Sequence, residues 1–244
     1  VLSNVVKNIS LQKFSLANGS IAPKVLRFRD LVPAHYPSVT FGIETAWLDL
    51  MHGGKRIIFQ NDFVKGSSIP INGLIWMGEK DFMLSQIREK LAAGFDTIKI
   101  KVGAIDQSSE TELLKFIRNN FSQEEVTLRL DANGAFHKDN VFSALDEFAR
   151  FDIHSIEQPV KQGQTALIKE VCEKSPIPVA LDEELIGVFN EQGRLLDDIN
   201  PQYIILKPSL IGGLIASEKW IGLAEERNIG WWMTSLLESN VGLN

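Results

Sequence analysis

The chain has 244 residues and carries 25 Lys and Arg against 31 Asp and Glu, a formal net charge of -6. With 44% hydrophobic and 23% charged residues it has the composition of a folded globular protein, which excludes disorder and collagen-like structure. The acidic balance disfavours nucleic acid as a partner. No apolar run has the length of a membrane span and no secretory signal opens the chain, so a cytoplasmic protein without a membrane partner is expected. Cys172 is the single cysteine, so no internal disulfide can form.

Residues 1–37 show mixed polarity, three prolines and no sustained period. A helix is expected from Ser38, an N-cap candidate, to Met51 or His52, with Phe41, Ala46, Leu48 and Leu50 as its apolar side and Gly53-Gly54 as its stop. From about residue 68 short apolar runs alternate with longer amphipathic ones. Strands are expected at 69–76, 96–102, 126–132, 153–157, 178–183, 202–207 and 230–235. Helices are expected between them at 80–93, 108–120, 139–150, 164–174, 191–198 and 213–227, the last capped by Asn228. Such alternation implies parallel strands with helical crossovers, either a doubly wound sheet or a (β/α)8 barrel. No Gly-rich phosphate loop follows the first strand, which removes the usual support for nucleotide binding.

Parallel strands bury both faces, so charges at their carboxyl ends call for a reason. Here the second to sixth strands end on Lys99 and Lys101, Asp131, Glu157, Asp182 and Lys207. Residues two apart share a face, so Lys99 projects with Lys101, and Arg129 with Asp131 and Asn133. Asp131, Glu157 and Asp182 are hard oxygen donors with no His or Cys among them, which disfavours zinc and suits Mg2+, with Mn2+ as a substitute. Such an ion can hold a substrate carboxylate and offset the charge formed when its α-proton leaves. The base is then a neutral amine, and Lys101 stands nearest the strand end. Lys207, across the mouth, is open to three roles: second base, acid, or cation near the developing enolate.

This residue set resembles the muconate-lactonising-type branch of the enolase superfamily, which has Lys-x-Lys on the second strand, metal carboxylates on the third to fifth and a lysine on the sixth. The resemblance covers about residues 37–244 and implies a TIM-type (β/α)8 barrel, of which seven strands fall in this chain, preceded by part of an α+β capping domain. It places the cap in residues 1–67 and the barrel in 68–244. Within the branch, INGLIWMG (71–78), IKIKVGAID (98–106), LRLDANGAF (128–136), HSIEQPVKQGQ (154–164), ALDEEL (180–185), PQYIILKPSLIGGL (201–214) and TSLLESNVGLN (234–244) are most similar to members that dehydrate 2-succinyl-6-hydroxy-2,4-cyclohexadiene-1-carboxylate to o-succinylbenzoate in menaquinone biosynthesis. That similarity implies a Mg2+-dependent lyase acting on a small-molecule carboxylate. Lys101 would remove the α-proton and help the hydroxyl leave from the same face. Lys207 would stabilise the enolate as a cation over the ring.

Thr234 and Ser235 match the branch's polar pair after the seventh strand, and Arg129, Asn133 and Glu238 are further candidates for substrate contact. Arg129 could instead orient carboxylates, and Glu238 could pair with a lysine. Glu183 is expected to point away from the barrel interior and Glu184 to belong to a loop. Cys172, His154, Trp231 and Trp232 read as packing residues. Three rival functions share these features: a dipeptide epimerase or N-acylamino acid racemase, a non-catalytic carboxylate-binding barrel, and a Schiff-base aldolase. A complete barrel takes about 250 residues, yet the strands start near residue 69. An eighth strand and the first part of the cap are therefore expected outside this chain.

Overall fold

The computed structural model describes residues 32–243. Helix α1 spans Pro37–Met51. The chain then alternates: β1 Gly73–Ile75, α2 Lys80–Ala92, β2 Thr97–Lys101, α3 Gln107–Arg118, β3 Thr127–Asp131 and α4 Val141–Phe148. It continues with β4 Ile153–Glu157, α5 Thr165–Lys174, β5 Val179–Leu181, α6 Gln192–Ile199 and β6 Tyr203–Leu206. A short α7, Pro208–Ile211, precedes α8 Gly213–Glu225, β7 Gly230–Met233 and a final turn of helix, α9 Asn240–Leu243. Among the described residues no helix is long and apolar enough to cross a membrane.

All seven strands pair in parallel, each beside its neighbour in the chain, in the order β1-β2-β3-β4-β5-β6-β7. A doubly wound sheet reverses its order at a switch point; this one never does. It is the curled wall of a TIM-type barrel, seven strands long. β1 and β7 are its edges. Each strand lies inside the span expected from the pattern. β1 is the most shortened: Pro70 has no N–H to give, and pairing with β2 starts only at Gly73 and Ile98.

The alternation within each strand sorts the side chains. Ile98, Ile100, Leu128, Leu130, Leu181, Ile204 and Leu206 face outward and are buried beneath Met83, Ile87, Leu113, Ile117, Phe148, Ile168, Leu196 and Trp220 of the helices. Cys172 belongs to this core, and burial pushes its thiol up to about 12, as inert packing requires. At the lower rim Arg118 ties two loops together. It donates to the carbonyls of Phe151, Ser122, Val126 and Asp152 at 2.8–3.3 Å.

Helix ends follow local chemistry. Asp106 caps α3 by accepting the Ser109 N–H at 2.9 Å. Asn228, in the left-handed region at φ 56, closes α8 with the paired bonds of a Schellman motif, Asn228 N–H to Glu225 C=O and Ile229 N–H to Ala224 C=O. α1 differs from expectation at both its start and its face. Pro37 occupies its first turn, where a missing N–H costs nothing, so Tyr36 rather than Ser38 begins it. Ser38 Oγ instead donates to Ser209 C=O at 2.8 Å. The buried face is Thr40, Glu44, Thr45 and Trp47, packed on α7 and α8, while Ala46 and Leu50 are exposed. Glu44 turns inward because its carboxylate accepts the Leu214 N–H at the start of α8.

Candidate active site

The register brings the charged residues together. Lys101, Asp131 and Glu157 stand side by side at the ends of β2, β3 and β4. Glu157 pairs with Ala180 and Ala180 with Tyr203. Asp182 and Lys207 directly follow the ends of β5 and β6, and their ion pair brings both to the same mouth. Asp131, Glu157 and Asp182 are 1%, 2% and 2% exposed, so each needs a compensating charge.

Lysines supply that charge. Lys99 Nζ lies 2.5 Å from Glu157 Oε2 and 2.9 Å from Asp131 Oδ2. Lys101 Nζ lies 2.6 Å from the same Asp131 oxygen and donates to Asn133 Oδ1 at 2.5 Å. Lys207 pairs with Asp182. Burial works against the charge of Lys99, but Glu157 and Asp131 outweigh it and hold its pKa above the usual lysine value. Burial also acts against ionised Asp131, and there Lys99 and Lys101 win and lower its pKa. Glu157 goes the other way. Burial, with Asp131 and Asp182 close by, raises it well above the ordinary carboxylate range despite Lys99. Its Oε1 is buried without a hydrogen-bond partner.

Among the described residues no three His, Cys, Asp or Glu side chains stand already gathered around a metal position, and ammonium groups hold the carboxylate oxygens. The donor set nevertheless fits a hard divalent cation. Three crowded carboxylates converge, one oxygen is unpartnered, and no sulfur or imidazole joins them.

The remaining candidates are spread over two levels. A cavity of about 750 Å³ beside the cluster is lined by Lys99, Arg129, Thr234, Ser235 and Glu238, and by Phe41, Thr45, Ile58 and Phe59 from before the first strand. Asn133 is absent from that lining and bridges Lys101 to Glu183 instead, its amide donating to Glu183 Oε1 at 2.9 Å. Arg129 sits one layer deeper, its guanidinium 4.2 Å from the Trp232 ring centroid. Glu238 meets a hydroxyl, accepting from Ser209 Oγ at 2.6 Å, rather than a lysine. His154, whose pKa is lowered by burial and by Arg129, packs with Tyr203 and Trp232 in that lower layer.

Three positions depart from the sequence reading or were passed over by it. Glu183 faces the mouth, because strand alternation ends at Leu181 and Glu183–Leu185 form a single 3-10 turn. Gln158 had no assigned role, yet its Oε1 accepts the N–H groups of Asp182 and Glu184, each at 3.2 Å, and its Nε2 donates to Val160 C=O and to buried Glu184. It fixes the loop that carries Asp182. Trp76 places its ring 5.8 Å from Lys101 Nζ, and Gln86 grips its backbone N–H and C=O, both at 2.9 Å. An aromatic residue just past the first strand, level with the lysine on the second, was the available signal.

A family model described as enolase C-terminal domain-like matches residues 83–244. A curated o-succinylbenzoate synthase of Desulfotalea psychrophila is 51% identical over 210 residues, covering 85% of this chain and 57% of that protein. The chain thus spans little more than half the length of this relative. The crystal structure of MenC from Desulfotalea psychrophila LSv54 superposes with a TM-score of 0.84 at 47% identity, covering 91% of this chain and 62% of that one. An L-Ala-D/L-Glu epimerase of Francisella tularensis subsp. novicida is 28% identical over 204 residues, 82% of this chain and 56% of its own length.

Proposed function

The chain belongs to the enolase C-terminal domain-like family, and we propose that it catalyses the Mg2+-dependent syn-dehydration of 2-succinyl-6-hydroxy-2,4-cyclohexadiene-1-carboxylate to o-succinylbenzoate, a cytoplasmic step of menaquinone biosynthesis. The observation that carries this reading is the convergence of Lys99, Lys101, Asp131, Glu157, Asp182 and Lys207 from five consecutive strands at one mouth. The 51% identity to a relative named for that product points the reading to this substrate.

Asp131, Glu157 and Asp182 would hold the cation, Mg2+ or in its place Mn2+. When bound, that ion supplies positive charge against the substrate carboxylate and against the charge that gathers there as the α-proton leaves. Lys101 takes the α-proton on its Nζ. The resulting ammonium returns a proton to the departing hydroxyl on the same face, so one water leaves and the ring becomes aromatic. Lys207 stays a cation across the mouth and faces the ring. Lys99, shared between Asp131 and Glu157, keeps those carboxylates in place. Arg129, Thr234, Ser235 and Glu238, from the cavity wall, and Asn133, beside the base, are the proposed substrate contacts. Residues up to 67 would belong to a capping domain and 68–244 to the barrel, a division supported by Phe41 and Ile58 reaching the cavity wall, while residues 1–31 lie outside the described residues.

A lysine on each side of the mouth also suits an epimerase. The test incubates the purified protein with the cyclohexadiene substrate and Mg2+ and follows o-succinylbenzoate by absorbance. Product is expected. Its absence from folded, Mg2+-binding protein contradicts the dehydratase, and α-hydrogen exchange with deuterated solvent that survives Lys101→Ala supports the epimerase.

A further inference from the structure

Glu110 is 3% exposed, although it lies in the first turn of α3 and plays no part in the lysine and carboxylate cluster. Its surroundings explain the burial. The ladder between β2 and β3 ends with Val102 N–H bonded to Asp131 C=O. The next N–H group turns to a side chain: Glu110 Oε1 accepts from Gly103 at 2.5 Å, and the N–H groups of Ala104 and Ile105 lie near enough to the carboxyl to favour its charge. Gly103 has φ 83, and a Cβ there would run into Ala135 of the loop after β3. Gly103 is therefore wedged between Glu110 on one side and Ala135 on the other. Two residues before Gly103 stands Lys101, and two before Ala135 stands Asn133, its hydrogen-bond partner.

We propose that Glu110 is a positioning residue: by gripping the backbone at Gly103 it holds the loop after β2 against the loop after β3 and so keeps Lys101 in place beside Asn133, a grip that loosens as pH rises. The importance of Lys101 rests on the function proposed above; the grip itself does not.

The pH dependence originates in burial. Burial, with some help from Asp106 and against the three N–H groups, pushes the Glu110 carboxyl up to about 7. The loop after β3 presents uncharged Ala135 and Phe136 to Gly103, and Lys80 of the neighbouring α2 is engaged by exposed Glu112. Opening the loop returns Glu110 to water and to its ordinary value. A group whose pKa is higher in the closed state favours closure at low pH, and that preference is lost as pH rises through about 7.

The test measures amide hydrogen exchange at residues 103–105 from pH 5 to 8, corrected for intrinsic rates, in wild type, Glu110→Gln and Glu110→Ala. Acylation of Lys101 by an amine-selective reagent is followed by peptide mass in the same samples. In wild type, protection is expected to fall at least about tenfold between pH 5 and 7 and then level off. Glu110→Gln should show no such step. Glu110→Ala should lose protection at every pH, acylate several-fold faster at Lys101 and leave β5 and β6 protected. A step of equal size in Glu110→Gln, or unchanged Lys101 acylation in a folded Glu110→Ala, overturns the proposal. If Glu110→Ala does not fold, the pH step in Glu110→Gln decides alone. Because no arm reads turnover, a failure here is distinguishable from a failure of the dehydratase reading.

Discussion

Lys99 is the cation around which the site is built, since two buried carboxylates share its ammonium. A metal entering the site must displace such contacts, and each carboxylate then has a testable weight. Asp131 serves Lys99 and Lys101 through one oxygen, and Asp131→Asn removes the charge while keeping the shape. It should weaken Mg2+ binding at least about tenfold by calorimetry; unchanged affinity contradicts its place among the ligands. Glu157 makes a second, pH-linked prediction. Its raised pKa means that the metal-free fold draws stability from the protonated carboxyl at low pH and loses it as pH rises through the raised value. Mg2+ requires the ionised form, so its affinity should fall as pH is lowered. Calorimetric titrations at successively lower pH would show it, and an affinity unchanged by pH would contradict it.

Among the elements, the strands and major helices were legible because each has a period, a cap or a glycine of its own. Asn228 and Gly53-Gly54 act within one turn of chain, so their effect can be read locally. What escaped the reading acts across long separations. Glu44 is a charged residue on the buried face of α1 because the start of α8, 170 residues on, offers it an N–H. The polar face of α1 was therefore taken for the outer one. Glu183 was misplaced because a strand period was continued into a 3-10 turn, and Gln158 was passed over because the N–H groups it accepts lie in the next strand's loop. Arg118 is of the same kind: its position at the end of α3 says nothing of the four carbonyls it ties together. Arg118→Ala should cost about 2 kcal/mol, since hydrogen bonds from a charged donor are among the stronger ones. That corresponds to a fall of about 4–8 °C in Tm for a chain of this size, read by thermal unfolding. A Tm unchanged within about a degree would show that water replaces those bonds.

At the scale of the whole molecule, the curled parallel sheet turns a one-dimensional list of strand ends into a ring. The outer faces of β1 to β6 form one apolar core with the helices, while the inner faces of the sheet carry Arg129 and Trp232 below and the lysine and carboxylate cluster above. The lower layer is stacked and the upper one ion-paired. The charged upper layer is therefore where a substrate carboxylate and a divalent cation would find complementary partners. The choice between barrel and doubly wound sheet could not be made from alternation alone, since both share it. It follows from the strand order, which never reverses. The central claim is that Lys101 moves the proton while the three carboxylates hold the metal. The direct measurement is the turnover of Lys101→Ala on the cyclohexadiene substrate, made on protein whose Mg2+ binding has been confirmed by calorimetry. The account predicts turnover reduced about a thousandfold or more with Mg2+ affinity no weaker than wild type; turnover within about tenfold of wild type would contradict it.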